Sequence, residues 1–360
     1  VNTFMRRAKA LALVVPLIVT LGACSRAAET TDAAPKGEGP ASEVRLGFFP
    51  NITHAAALIG VEQGTYKKYL GEKTKLTTQT FNAGPAEVEA LLGNSLDVGY
   101  MGPGPAINAF TNSKGAIRIY GGAASAGAQL VVKPEINSAA DLKGKTIAAP
   151  QLGGTQDIAL RAWLKDKGYK TDHNGGNDVK IQDQDNGVTL DSFKKGGLDG
   201  AWLPEPWASR LVLEAGAKVL LDEKSLWPDG KFPTTVIVAR KDFADKHPET
   251  LAAILKANIE AVQLSKGTNS ADAKNSANKQ LATLSGKGLS DAVLQRAWSN
   301  LELSNDPLAK QFAKQAKDSV KAGTLTSEPD LTGIFQLDAL NRALKEQGLD
   351  QTVSSDTGGK

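Results

Sequence analysis

The chain has 360 residues, with 42 basic and 39 acidic side chains, three histidines and one cysteine. The cations Arg6, Arg7 and Lys9 stand in the first 23 residues without an acid, so residues 24–360 hold 39 basic and 39 acidic side chains and are neutral, which gives no footprint of clustered Lys and Arg for nucleic acid. With Cys24 as the lone cysteine, a disulfide within the chain, a cysteine zinc cluster and a thiol nucleophile in the folded body are excluded.

Taken in chain order, Arg6, Arg7 and Lys9 form a positive leader, and Ala10 to Leu21 form an apolar stretch too short for a membrane span. It ends in Leu21-Gly22-Ala23-Cys24, which resembles a bacterial lipobox and predicts a signal peptide over 1–23 and lipid on Cys24. Residues 25–42 lack large apolar side chains, so segment 24–42 reads as a lipidated flexible tether. Segment 351–360 reads as a disordered tail. The body between them is long enough for two domains.

In the body, short β-branched or apolar runs alternate with helical patterns. Strands are expected at Val44 to Phe49, Leu76 to Phe81, Leu96 to Tyr100, Ile117 to Tyr120 and Ala128 to Lys133, with helices from about His54, Pro85 and Pro105. A second set follows, with strands at Thr146 to Ala149, Val179 to Gln182, Gly200 to Leu203, Lys218 to Leu221 and Thr234 to Arg240. Its helices open near Gly153-Gly154-Thr155, Val188 and Glu205. The alternation predicts an α/β fold with mostly parallel sheets. The last hundred residues are helical by periodicity, with Leu251, Ile254, Leu255, Ile259 and Val262 on one face.

The familiar catalytic patterns fail. His54, His173 and His247 have no metal-ligand spacing. Gly144-Lys145-Thr146 ends like a phosphate loop, but Ala139 stands where the first glycine is needed. Ala123-Ala124-Ser125-Ala126-Gly127 misses the nucleophile elbow by its first residue, and Ser192-Phe193-Lys194-Lys195 has no accompanying K-T-G. What recurs is a strand running into a small-residue turn and a helix start, at Phe49 to His54, Gly102 to Pro105, and Gly153 to Thr155. Such helix starts expose backbone N–H groups at the positive end of the helix dipole and make an anion site where several converge; taken singly, each is also an ordinary turn of an α/β protein. Ala201-Trp202-Leu203-Pro204-Glu205-Pro206-Trp207 supplies aromatic faces and one carboxylate for a cleft wall, or equally a core tryptophan and a first-turn helix acid.

Read together, Arg45 to His54, Phe81 to Glu87, Leu96 to Tyr100, Asp141 to Lys145 and Trp202-Leu203-Pro204-Glu205-Pro206-Trp207 resemble the substrate-binding proteins of the nitrate, sulfonate and taurine family of ABC importers. The resemblance runs from Val44 to about Gly348. It implies a type II periplasmic-binding-protein fold: residues 43–131 and 237–350 as one lobe, 132–236 as the other, and Ala128 to Lys133 with Thr234 to Arg240 as two crossover strands. The family's anion-holding positions map onto Asn51, His54, Gly104, Pro105, Ser125, Gly127, Gly154 and Thr155, with Glu205 and Trp207 completing the wall. The implied protein is a lipid-anchored, extracytoplasmic monomer that needs no cofactor and no metal, has no catalytic residue, and delivers a small anion to a permease and its ATPase. The Glu-Pro-Trp string is shared with nitrate binders, while the other phrases look closer to the aliphatic-sulfonate branch, taurine and alkanesulfonates included. A secreted serine hydrolase using Ser125 or Ser192, and a sensor lipoprotein, stand as the alternatives.

Overall fold

The computed structural model describes residues 37–171, 178–349 and 355. The expected signal peptide, Cys24, His173 and all of the 351–360 tail except Ser355 lie outside the described residues.

The first run of elements is β1 (Glu43–Phe48), α1 (Ala55–Glu62), α2 (Thr65–Leu70), β2 (Lys75–Thr80), α3 (Gly84–Leu92), β3 (Val98–Met101), α4 (Pro103–Asn112) and β4 (Ile117–Ala126). The second is β5 (Ala128–Val132), β6 (Thr146–Ala149), α5 (Thr155–Asp166), β7 (Lys180–Asp183), α6 (Asn186–Lys194), β8 (Gly200–Pro204), α7 (Trp207–Ala215) and β9 (Lys218–Asp222). The chain returns through β10 (Pro233–Arg240), α8 (Lys241–Lys246), α9 (Pro248–Leu264), α10 (Ser270–Ser285), α11 (Asp291–Ser299), β11 (Leu301–Leu303), α12 (Phe312–Ala322) and α13 (Asp338–Glu346).

Two sheets result, ordered β11-β4-β10-β3-β1-β2 and β7-β6-β8-β5-β9. In the first, β1 lies parallel to β2 and β3 (Val44 beside Leu76, Leu46 beside Val98), while β10 runs antiparallel between β3 and β4. In the second, β6 lies parallel to β7 and β8, and β5 runs antiparallel to β8 and β9. Parallel strands need helical crossovers, which cover both sheets and bury their residues. Leu46, Phe48, Val98 and Tyr100 centre the first core. Trp202, fully buried against Trp163 with ring centroids 6.0 Å apart, centres the second. Trp202 is therefore a core residue of the second lobe, and the cleft wall has no share in it.

The passages between lobes fall a few residues away from the expected crossovers. Ala128–Val132 belongs wholly to the five-stranded sheet and Pro233–Arg240 wholly to the six-stranded one. The first passage is the Ala126-Gly127 step, where both residues take positive φ (65° and 80°). The second is the pair of short 3-10 turns Glu223–Leu226 and Pro228–Gly230. The boundary expected after residue 131 thus moves to Gly127, and the one expected at 237 moves to Pro233. The cause is that β4 continues past Tyr120 through a run of small residues. A side chain at Gly122 would come within 2.3 Å of the Asp306 carbonyl oxygen, so only glycine lets the strand pass beneath the C-terminal segment.

The reading of a flexible tether as far as Ser42 fails from Gly37 onward. The Glu38 N–H donates to the Lys246 carbonyl at 2.7 Å, the Ala41 N–H to Thr250 Oγ1 at 2.8 Å, and Thr74 Oγ1 donates to the Ala41 carbonyl at 2.6 Å. Backbone pairing docks this stretch without large apolar side chains.

Candidate functional site

A nearly closed cleft, with about 20 Å³ of interior room, lies between the lobes. The six-stranded lobe contributes the turn after β1 (Phe49, Asn51, Thr53, His54), the start of α3 (Asn82, Ala83, Gly84) and the start of α4 (Gly102, Pro105). The five-stranded lobe contributes Pro150 and the start of α5 (Gly154, Thr155, Gln156), Asn186 at the start of α6, and Pro204; Thr234 of β10 completes the wall. None of these lining residues is an Asp, Glu, Lys or Arg.

Four helices therefore begin at one cavity. The residue before each first turn is Ala83 for α3, Gly102 for α4, Gly154 for α5 and Asp185 for α6, and none of the four caps its helix with a side-chain hydrogen bond. Three of them cannot, because Ala and Gly have no acceptor. The first N–H groups of a helix lack intrahelical partners and sit at the positive end of its dipole, so the uncapped starts of α3, α5 and α6 present donors to a ligand, whereas α4, with Pro103 and Pro105 in its first turn, contributes its dipole but few N–H groups. The Thr155 hydroxyl, buried without a hydrogen-bond partner, adds a donor to this; the unpartnered Asn186 Oδ1 is an acceptor and adds none.

His54 is a neutral group of the wall. The Phe49 N–H donates to its Nδ1 at 3.2 Å, and its ring stacks on Phe49 at 4.2 Å between centroids. An Nδ1 that accepts assigns the proton to Nε2. Burial pushes the imidazole pKa down to about 3, so His54 is an uncharged ring near neutral pH.

The lobes meet closely. The indole N–H of Trp207 donates to Asn51 Oδ1 at 2.8 Å, Asn82 Nδ2 donates to Asp185 Oδ2 at 3.0 Å, and Lys321 pairs with Asp166 at 2.6 Å. A Cβ on Gly102 would stand 2.1 Å from Thr155 Oγ1, and one on Gly104 would stand 2.6 Å from Ile158 Cδ1. The two glycines at the start of α4 let α5 of the other lobe come against it.

Among the residues singled out from the sequence, Asn51, His54, Pro105, Gly154 and Thr155 line the cleft. Gly104 stands behind it against Ile158. Ser125 and Gly127 do not line it: Ser125 is buried in β4 beside Pro233 and Glu302, and Gly127 is the passage between lobes. Small residues at a chain crossing look like a ligand loop, because both need close backbone approach.

Glu205 also leaves the wall. It is fully buried, and its Oε1 accepts from Asn300 Nδ2 at 2.6 Å and Arg296 at 3.2 Å, while Oε2 accepts from the Ser209 N–H at 3.1 Å. Burial raises its pKa, and the bonds from Asn300 and Ser209 and the charge of Arg296 hold the rise back. Trp207 sits at the rim and reaches the cleft only through Asn51. Missed by sequence reasoning were Asn82, Gln156, Asn186 and Thr234; the only signal for Asn82 and Asn186 is an amide at or just before a helix start. Among the described residues no group of three His, Cys, Asp or Glu could hold a metal ion, and no helix is long and apolar enough to cross a membrane.

A family model described as the NMT1-like family matches residues 37–282. The taurine-binding periplasmic protein of Escherichia coli (strain K12) is 33% identical over 186 residues, which cover 51% of this chain and 55% of that protein. Among solved structures, the alkanesulfonate-binding protein SsuA from Xanthomonas axonopodis pv. citri bound to MOPS superposes with a TM-score of 0.67 at 21% identity, covering 82% of this chain and 99% of the other. The periplasmic nitrate-binding protein NrtA from Synechocystis PCC 6803 gives 0.71 at 18% identity, covering 85% and 89%. The chain spans only 55–65% of the length of the first curated relatives it matches. The structural likeness confirms the two-lobed periplasmic-binding-protein fold. With its model matching residues 37–282, well over half of the sequence, the chain belongs to the NMT1-like family.

Proposed function

We propose that this protein is the solute-binding component of an ABC importer and captures a small oxyanion, an aliphatic sulfonate, between its lobes. The observation that carries this reading is the convergence of four uncapped helix starts on a cleft whose lining residues include no charged side chain. Such a site neutralises an anion with the dipoles of all four helices and with N–H donors from the starts of α3, α5 and α6, as helix N-termini do for phosphate and sulfate. Because α3 and α4 belong to one lobe and α5 and α6 to the other, an anion that bridges them stabilises the closed form. Closure is then the signal that a permease reads, and its ATPase supplies the work of transport. Similarity to a taurine-binding protein and to an alkanesulfonate-binding one supports a sulfonate.

A nitrate reading rests on the same donors and on the likeness to a nitrate-binding protein. Calorimetric titration of the purified protein with ethanesulfonate, taurine and nitrate decides between them. Saturable binding of the sulfonates with weak or no heat from nitrate is expected, and no heat from any of the three would sink the oxyanion reading. The hydrolase alternative draws no support from Ser125 inside β4 or Ser192 within α6. Action as a monomer and lipid anchoring through Cys24 outside the cytoplasm complete the proposal. In cells, Cys24→Ala should move the protein from the membrane fraction to the soluble one.

A further inference from the structure

The turn that leads into α5 is made of Gly153 and Gly154. Gly153 takes positive φ (77°), and a side chain there would meet no atom within 4 Å, so the backbone angle and no crowding calls for glycine. Successive glycines leave a chain its greatest backbone freedom. Yet this turn has to deliver the first N–H groups of α5 to the cleft, where Thr155 and Gln156 form part of the wall.

Asp157 restrains it. The residue stands in the first turn of α5, fully buried and outside the cleft lining, and its Oδ2 accepts from the Gly153 N–H at 2.9 Å. The Gly154 N–H donates to the Gln151 carbonyl at 2.9 Å. Both N–H groups ahead of the helix are thus used within the protein, and those that follow without intrahelical partners belong to Thr155, Gln156 and Asp157. The other three starts at the cleft have no such restraint. In α4 and α6 the first turn has no acid, and neither oxygen of Glu87 in α3 accepts a well-formed hydrogen bond.

An acid in the first turn of a helix that receives an anion sets like charges close together, so the Asp157 carboxylate needs a counter-charge. Arg161 supplies it one turn on, along the same helix face. Its Nε donates to Asp157 Oδ1 at 2.5 Å, its Nη2 to Asp183 Oδ2 at the end of β7 at 3.2 Å, and its Nη1 to the Thr171 carbonyl at 3.5 Å. Both members of the pair are buried. Arg161 therefore ties the carboxylate to β7, and the place of Oδ2 beside Gly153 is set by the sheet.

We propose that Asp157 is a positioning residue of the anion cleft: held by Arg161, its carboxylate fixes the Gly153-Gly154 turn and so aims the N–H groups of Thr155 and Gln156 at the oxyanion. The inference rests on the oxyanion reading of the cleft and adds to it a residue that touches no ligand.

Two double variants separate this role from plain support of the fold. Asp157→Asn with Arg161→Gln removes both charges and keeps a side-chain acceptor for Gly153, the two amides being spaced to pair with each other. Asp157→Ala with Arg161→Met removes both charges and the acceptor, and apolar replacement of a buried ion pair is often neutral for folding. NMR-detected exchange of the Gly153 amide and calorimetric titration with ethanesulfonate are read on the unmodified protein and on both variants, with thermal melts alongside. In the apolar variant the Gly153 amide should exchange about tenfold faster or more, and ethanesulfonate affinity should fall about tenfold or more. The amide variant should stay within about threefold of the unmodified protein in both measurements. Equal affinity of the two variants, equal Gly153 exchange in the two, or a Gly153 amide that already exchanges freely in the unmodified protein would each overturn the proposal. Failure of the oxyanion reading is a separate result, in which the unmodified protein takes up no ethanesulfonate while the Gly153 amide still responds to the side chain at position 157.

Discussion

The indole N–H of Trp207, at the first position of α7, donates to Asn51 Oδ1 at 2.8 Å, joining the rim of one lobe to the wall of the other. The bond holds Asn51 with its carbonyl engaged, so its amide N–H groups are the part left for a ligand. Trp207 thus acts on the cleft through Asn51.

Trp207→Phe keeps an aromatic ring and removes only this donor. A neutral hydrogen bond of this kind contributes about 1 kcal/mol, so sulfonate affinity should fall about fivefold, with little change in melting temperature. Calorimetry on both proteins measures it. An unchanged dissociation constant would mean that Asn51 needs no positioning.

Glu205 binds together Ser209 of α7, Arg296 of α11 and Asn300, the residue that ends α11. Its removal leaves Arg296 short of its charge partner while Ser209 Oγ and Gln129 Oε1 remain as acceptors. Hydrogen bonds to charged groups contribute about 1.5–3 kcal/mol, so Glu205→Gln should cost about 2 kcal/mol of stability in a denaturant titration. Taurine and ethanesulfonate should lose affinity by the same factor, because the carboxylate does not reach the ligand. A loss confined to taurine would return Glu205 to the cleft.

The turns at Phe49 to His54, Gly102 to Pro105 and Gly153 to Thr155 are legible in the sequence because a strand pattern stops at Gly or Pro and a helix pattern begins, and that transition is also what exposes the N–H groups. Asn82 and Asn186 are not legible in that way. Gly84-Pro85 and Gly187 beside them mark a helix start but not which flanking side chain faces the other lobe, and that is set by long-range pairing such as Asn82 with Asp185 across the cleft. Ser125 and Gly127 mislead because a crossing between lobes demands the same small residues as a ligand loop. Glu205 misleads because its partners Arg296 and Asn300 lie about ninety residues downstream, beyond the reach of local pattern. The glycines in Arg45-Leu46-Gly47 and Asp97-Val98-Gly99 have a packing reason that no periodicity reveals: a Cβ at either would come within 2.4 or 2.5 Å of Glu87 Oε1.

The contact between Gly102 and Thr155 is a test of closure. With its added Cβ only 2.1 Å from Thr155 Oγ1 and 3.0 Å from Thr155 Cβ, Gly102→Ala should hold the lobes apart and weaken sulfonate binding by tenfold or more, about 1.4 kcal/mol. Pairing it with Thr155→Gly removes the obstructing side chain. Small-angle scattering should show a larger radius for the single variant in saturating ligand, and a return toward the parent radius for the pair. Closure of Gly102→Ala at parent affinity would show that the lobes do not need this approach.

His54 sets the acid limb. Its folded pKa of about 3 lies below its ordinary value of 6.5, so the unfolded chain binds the proton first. This contribution to stability is present above about pH 6.5 and is lost as the pH falls toward about 3. His54→Gln should flatten that limb in urea titrations, and sulfonate affinity should stay level between about pH 6 and about pH 8, where His54 is neutral in folded protein. A pronounced affinity change in that window would point to a titrating group in the cleft.

Glu87 works in the opposite direction. It is fully buried on α3 against Gly47 and Gly99, neither oxygen accepts a well-formed hydrogen bond, and burial raises its pKa well above 4.5, with the Tyr100 backbone offsetting only part of the rise. The folded protein therefore keeps a proton that the unfolded chain releases above about pH 4.5, and stability falls from this source as pH rises from that value. Glu87→Gln carries no such proton, so its stability relative to the parent should improve steadily from about pH 4.5 into the alkaline range. Chemical denaturation across that range reads the difference. Parallel curves would mean that Glu87 is ionised in the fold, and an unlocated cation or donor would then have to be sought beside Gly47 and Gly99.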